Sequence, residues 1–192
     1  MIAIIKYNAG NVRSVKNAIE RLGYECIITD DKDVILSASK VIFPGVGEAS
    51  TAMKYLKDSE LDKTIKSIKN PVLGICLGLQ LMCNSSEEGN TECLGIFNTD
   101  VKRFENNDIV PHMGWNTLMN IQGELFEEMS TEDAFYFVHS FYAKICPDTK
   151  AECDYILPFS AVLNKNNFYA TQFHPEKSGS VGELLLKNFL KL

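Results

Sequence analysis

The chain predicts an α/β fold, with a mostly parallel central sheet, helices on both faces and a smaller β-rich part. Three features carry this. Strand-length apolar runs alternate with helix-period segments through the first half of the chain. Two of those runs end in glycine-bearing turns, Pro44-Gly45-Val46-Gly47 and Gly74-Ile75-Cys76-Leu77-Gly78. From about Leu94 to Thr171 the signals become shorter and more β-like, before a helical pattern returns at the end. A sheet of this kind uses right-handed crossovers and places its chemistry at the carboxyl ends of its strands.

In chain order, Ile2 to Tyr7 reads as a first buried strand, followed by the loop Asn8-Ala9-Gly10-Asn11. Val12, Val15, Ile19 and Leu22 recur at helical spacing, and Gly23 closes that helix. Tyr24 to Thr29 is the second strand and Val41 to Phe43 the third, ending at Pro44. Two short helical patterns lead to the strand Pro71-Val72-Leu73, and Leu79, Leu81 and Met82 continue past Cys76 as a helix. Ala134 to Val138 and Phe168 to Phe173 read as strands, the second delivering His174 to a sheet edge. Asn164-Lys165-Asn166-Asn167 marks a hairpin. The final helix opens with Ser180 three residues before Glu183, a capping box, and buries Val181, Leu184, Leu185 and Phe189.

A length of 192 residues, 45% of them hydrophobic, suits a single domain over 1–192 with a proper core. The net charge of -6 and scattered basic residues argue against a nucleic-acid surface. Six cysteines without a Cys-x-x-Cys pair and three dispersed histidines make no zinc spacing, so free thiols in a reducing cytoplasm are expected. Met1 to Lys6 is too short for a signal segment, and no apolar run approaches the roughly 18 residues of a membrane span.

The chemistry sits in two distant motifs. A strand, Gly-x-Cys-x-Gly and a helix form a nucleophile elbow with sulfur in place of oxygen. Cys76 then lies at a helix start, where the dipole favours the reactive thiolate; the alternative is a small residue packed in a tight turn. A thiolate nucleophile needs a proton acceptor that later protonates the leaving group. His174-Pro175-Glu176 supplies an imidazole and a carboxylate to orient it. Pro44-Gly45-Val46-Gly47 reads either as an ordinary turn or as an oxyanion strand, where one backbone donor is worth about 3–4 kcal/mol. Gln80, one helical turn from Cys76, faces the site unless it is an exposed helix glutamine. Glu88 could pair with an ammonium group, and a solvated acidic loop explains it equally well. Val138 to Phe141 has the periodicity of a core strand, with His139 structural. Trp115, the sole tryptophan, either caps the core or anchors an interface.

Taken in this order over nearly the whole chain, the elbow and the His-Pro-Glu resemble the class I (triad) glutamine amidotransferases. That resemblance implies the family fold and a glutaminase needing neither metal nor cofactor. Cys76 would attack the side-chain amide of glutamine, His174 would act as base and then acid, and Glu176 would hold the imidazole. Leu77 with Val46 or Gly47 would give the oxyanion N–H donors. Gly47, Gln80, Glu88, Ser140 and Phe141 would contact glutamine, the last two through backbone; many members carry tyrosine at the position of Phe141.

Tyr7 to Ser14, Pro44 to Gly47 and Pro111-His112-Met113-Gly114-Trp115-Asn116 resemble, within the family, glutaminases that serve a cyclase of histidine biosynthesis. The implied partner is a (β/α)8-barrel subunit in a heterodimer, which uses the ammonia to make imidazole glycerol phosphate and an aminoimidazole carboxamide ribotide. Asn11, Trp115, Tyr136 and Lys177 match the docking face. The passage for ammonia should be closed, since free ammonia would protonate and escape. A glutaminase of the same type feeding another synthase, such as a sugar amidotransferase, is the alternative.

Overall fold

Five adjacent strands of one sheet run parallel, and the segments at their carboxyl ends build the site. The structure, a computed structural model, describes residues 1–105 and 109–192. It begins with β1 (Ile2–Ile5), α1 (Val12–Arg21), β2 (Cys26–Thr29), α2 (Lys32–Ser37) and β3 (Lys40–Gly45). Next, α3 (Ala49–Asp58) and α4 (Leu61–Ser67) lead to β4 (Val72–Cys76) and α5 (Leu77–Met82). The β-rich part contains β5 (Ser85–Ser86), β6 (Thr91–Glu92), β7 (Asp100–Arg103), β8 (His112–Thr117) and β9 (Ala134–His139). It continues with β10 (Phe141–Ala143), β11 (Thr149–Tyr155) and β12 (Leu157–Lys165), after which β13 (Phe168–Thr171) returns to the centre and α6 (Gly179–Lys191) follows.

One sheet has the order β2-β1-β3-β4-β13-β12-β10-β7-β5-β6, with β11 against β12, while β8 and β9 pair separately. Pairing is parallel from β2 to β13 and antiparallel from β13 to β7. Alternate side chains explain why helices cover both faces. Ile2, Ile4, Ile42, Leu73 and Ile75 pack with Val15 and Ile19 of α1 and Leu185 and Phe189 of α6. Ala3, Ile5, Val41, Phe43 and Val72 pack on the other side with Met53, Leu56, Ile65 and Leu79. Strands buried on both faces read as continuous apolar runs, as these do. Full burial of a side chain such as Ile4 or Phe43 stabilises by roughly 1.5–3 kcal/mol.

Several local expectations needed correction. Helix α2 has no apolar periodicity long enough to detect; the Asp31 carboxylate starts it by accepting from the N–H groups of Asp33 and Val34. Strand β3 continues through Pro44 to Gly45, because parallel pairing sets Pro44 opposite Ile75 and Gly45 opposite Cys76. Strand β13 lies inside the sheet, between β4 and β12, and not at an edge. The capping box is absent: α6 begins at Gly179, so Ser180 lies within its first turn and Glu183 pairs with Arg21 at 3.1 Å. Val181 and Leu184 are only half-buried, and Leu186 and Leu190 join Leu185 and Phe189 in the core. Gly23 does close α1, at φ 85°, and Asn166 turns the β12–β13 hairpin at φ 55°. Among the described residues, no helix is long and apolar enough to cross a membrane.

The elbow packs α5 directly on β3, and a Cβ at Gly78 would run into the Phe43 carbonyl oxygen. Gly78→Ala should therefore lower stability by about 1–3 kcal/mol, as overpacking does. Urea denaturation measures this, and an unchanged midpoint would show that the crossing has slack.

Candidate active site

Strand β4 turns into α5 at Cys76 without an intervening loop, and Cys76 takes φ 53° and ψ -105°. Such a backbone costs roughly 1–3 kcal/mol and persists only where its surroundings hold it. Pairing supplies that hold, with β3 on one side and β13 on the other. Because Thr171 is in register with Ile75, the chain leaving β13 reaches His174 on the same rim as the cysteine. The His174 backbone is fastened there. Its N–H donates to Tyr136 O at 2.9 Å, and its carbonyl accepts from the Ser178 hydroxyl at 2.7 Å. Ser178 Oγ in turn accepts the Tyr136 N–H at 2.9 Å.

His174 Nδ1 lies 2.8 Å from Glu176 Oε1, and both side chains are buried. A carboxylate only accepts, so Nδ1 carries the proton. Asn11 Nδ2 donates to the same oxygen. His174 Nε2 and Glu176 Oε2 are buried without a hydrogen-bond partner. The Cys76 sulfur lies beside the ring, close enough to act on its titration, without completing a bond of ordinary geometry to Nε2. Burial works against the imidazolium, but the sulfur and the Glu176 carboxylate outweigh it and lift the His174 pKa to about 10.

Cys76 opens on a cleft of about 260 Å³ lined by Val46, Gly47, Leu77, Gln80, Glu88 and Val138 to Phe141. Ligand pockets run to roughly 300–1,000 Å³, so this one suits an amino acid rather than a nucleotide or a peptide. A larger depression of about 490 Å³, around Lys102, Arg103 and Tyr142, lies away from the cysteine. The end of β3 and the loop after it are held from beneath: the Tyr7 hydroxyl donates to Pro44 O at 2.7 Å, and Gly10 N–H to Val46 O at 3.3 Å. Gly47 sits at φ 133°, which side-chain-bearing residues rarely adopt.

The cleft residues differ in what they have free. Gln80 is only 4% exposed, which excludes a solvent-facing role. Its Nε2 donates to Phe141 O at 2.9 Å and to Gln172 Oε1 at 3.1 Å, leaving only its oxygen for a ligand. Glu88 is half-buried rather than a solvated loop charge; Oε2 accepts the Ala49 N–H at the start of α3, leaving the other oxygen available. His139 is buried and structural, as its place in a core strand suggested. Its Nδ1 bonds Phe141 O at 2.8 Å and its Nε2 bonds His112 Nδ1 at 3.0 Å. Burial keeps both rings neutral, with His112 pushed down to about 4 and His139 to about 3.

Residues 3–192 match the family Glutamine amidotransferase class-I. The chain belongs to the class-I glutamine amidotransferases. It is 60% identical over 194 residues to the imidazole glycerol phosphate synthase subunit HisH of Bacteroides fragilis, covering 100% of this chain and 99% of that one. Against the subunit of the same name from Vibrio cholerae it is 44% identical, covering 100% and 98%. Among solved structures, PurLQS from Thermotoga maritima superposes at a TM-score of 0.76 with 17% identity, over 99% of this chain and 97% of that one. A crystal structure of a glutamine amidotransferase gives 0.70 with 20% identity, over 100% and 98%. The shared fold is the class I amidotransferase α/β sheet.

In this amidotransferase the Trp115 side chain is 59% exposed and does not cap the core. It packs edge-on against Tyr136 at 5.9 Å, with Met113 also exposed on the same face of β8. Lys177 is exposed nearby in sequence to the His-Pro-Glu motif and forms no ion pair among the described residues. Asn11, expected at a docking surface, is half-buried and has its amide on Glu176. Sequence reasoning assigned no role to Tyr7, Ser178, His112 or Gln172, although Tyr7, His112 and Gln172 lie inside segments it singled out.

His174 gives a pH test with a defined sign. Its folded pKa stands above the ordinary 6.5, so the stabilisation from its charged form is complete below about 6.5 and is lost as pH rises through about 10. NMR should find the ring still protonated at pH 8, and Glu176→Gln should bring its titration down. Titration near the ordinary value in both proteins would contradict the pairing.

Proposed function

We propose that this chain is the glutaminase subunit of imidazole glycerol phosphate synthase, releasing ammonia from glutamine for a (β/α)8-barrel cyclase partner. One observation carries the chemistry: a buried His174–Glu176 pair beside an elbow cysteine, at the wall of a cleft the size of an amino acid. The relatives' shared name over full length supports the histidine-pathway partner above a sugar amidotransferase. Six cysteines present as free thiols support a reducing, cytoplasmic setting.

In this reading the Cys76 thiolate attacks the carboxamide carbon, and the charge on oxygen meets the N–H of Leu77 and that of Val46 or Gly47. His174 protonates the departing ammonia, then draws a proton from the water that hydrolyses the thioester, releasing glutamate. Glu176, itself held by Asn11, keeps the proton on Nδ1 so that Nε2 faces the reaction. The unpaired state of Nε2 in the free chain fits a group waiting for substrate. The free oxygens of Glu88 and Gln80 suit the substrate's α-ammonium, and the backbone of Ser140 and Phe141 suits its α-amino and carboxylate groups. Trp115, Tyr136 and Lys177 offer two aromatic anchors and a cation to the partner.

The backbone after β3 suggests a resting state, since Val46 O is tied to Gly10 and Gly47 has the freedom to turn. Glutamine turnover should be low for the chain alone and rise steeply with cyclase and its nucleotide. Equal turnover with and without partner would refute this. Cys76→Ser should abolish glutamine-dependent synthesis by the complex while ammonia-dependent synthesis continues. Glutamine-dependent synthesis that survives the substitution would place Cys76 outside the glutaminase step.

A further inference from the structure

A buried amide touches the sulfur that attacks. Gln172, 0% exposed, follows β13 and precedes His174 by two residues. Its Nε2 is 3.7 Å from Cys76 Sγ, and its Oε1 accepts from Gln80 Nε2 at 3.1 Å. The orientation of a side-chain amide is usually ambiguous, because its oxygen and nitrogen look alike. Here one backbone carbonyl decides it. Phe141 O can only accept, and it takes the His139 Nδ1–H at 2.8 Å and a Gln80 N–H at 2.9 Å. Reversing the Gln80 amide would set oxygen against oxygen. Once Gln80 points that way, its second N–H requires an acceptor, so Gln172 must turn Oε1 toward Gln80 and its NH2 toward the sulfur.

We propose that Gln172 is a further catalytic residue, an N–H donor to Cys76 Sγ aimed by Gln80, which stabilises the sulfur anion before attack and again when it leaves the thioester. This rests on the reading of Cys76 as nucleophile. A hydrogen bond to the charged form of a group favours that form. The neutral thiol has a competing arrangement, donating S–H to Val138 O at 3.9 Å, and Gln172 biases the sulfur toward accepting. When the C–S bond forms, the sulfur electron pair enters the bond. When it breaks, the pair returns to sulfur and the Gln172 N–H is still in place. His174 has to pass a proton during the cycle, whereas an amide donor holds its geometry throughout.

The test is iodoacetamide alkylation of the full chain across a range of pH, read at the Cys76 peptide by mass spectrometry. Gln172→Met, close in shape but without a donor, should move the Cys76 profile up by about one pH unit, a tenfold loss of reactive sulfur at a given pH. Gln172→Glu, equal in shape but with a carboxylate oxygen against the sulfur, should move it further. In the complex with cyclase, kcat for glutamine hydrolysis by Gln172→Met should fall by about tenfold with KM little changed. If substitution at Gln172 prevents folding, Gln80→Leu removes the group that aims it and should give a smaller shift in the same direction. A Gln172→Met or Gln80→Leu profile coincident with the unsubstituted chain overturns the proposal. If Cys76 of the unsubstituted chain reacts no faster than half-buried Cys26 and Cys146, the nucleophile reading itself falls, and the proposal with it.

Discussion

The position of β4 between β3 and β13 is the constraint on which the rest depends. Parallel register puts Gly45 opposite Cys76 and Thr171 opposite Ile75, so three segments that are far apart in the chain leave the sheet on one rim. The strained backbone at Cys76 is tolerable because β4 is paired on both sides, with β13 up to Ile75 and with β3 up to Cys76 itself. Apolar burial on both faces makes slippage expensive, since a shift of one residue would exchange the two sets of side chains.

Around that rim the buried polar groups form directed chains rather than isolated contacts. A low-dielectric interior strengthens a satisfied network and penalises an unsatisfied one. Asn11 and His174 both donate to Glu176 Oε1, His112 donates to His139, and Gln80 donates to both Phe141 and Gln172. Among the described residues, two of the three buried side-chain polar atoms left without partners are His174 Nε2 and Glu176 Oε2, at the centre of the site. Unpaired groups persist in folded proteins where function requires them.

The hairpin of β8 and β9 joins the site to the surface. Its outward residues include Met113 and Trp115, while its inward residues His112 and His139 reach the carbonyl of Phe141 in the cleft. Tyr136 shows both sides of this arrangement: its ring packs against Trp115, and its backbone binds His174 and Ser178. A surface residue and a buried imidazole are thus separated by a single strand.

The fold class and the elbow were legible in the sequence because their signals are local: apolar runs of strand length, Gly-x-Cys-x-Gly, and an imidazole two residues from a carboxylate. Helix α2 escaped because six residues carry no period, and the supposed capping box at Ser180 failed because the chain starts α6 at Gly179, leaving Ser178 to secure His174. The same limit applied to Asn11, whose amide reaches Glu176 across 165 positions, and to Gln172, which meets Cys76 across 96. Sequence alone therefore determined the kinds of groups available and the elements that carry them. Only the tertiary structure decided which donor meets which acceptor, because hydrogen bonding is a matter of ångströms and direction, and strand register sets both.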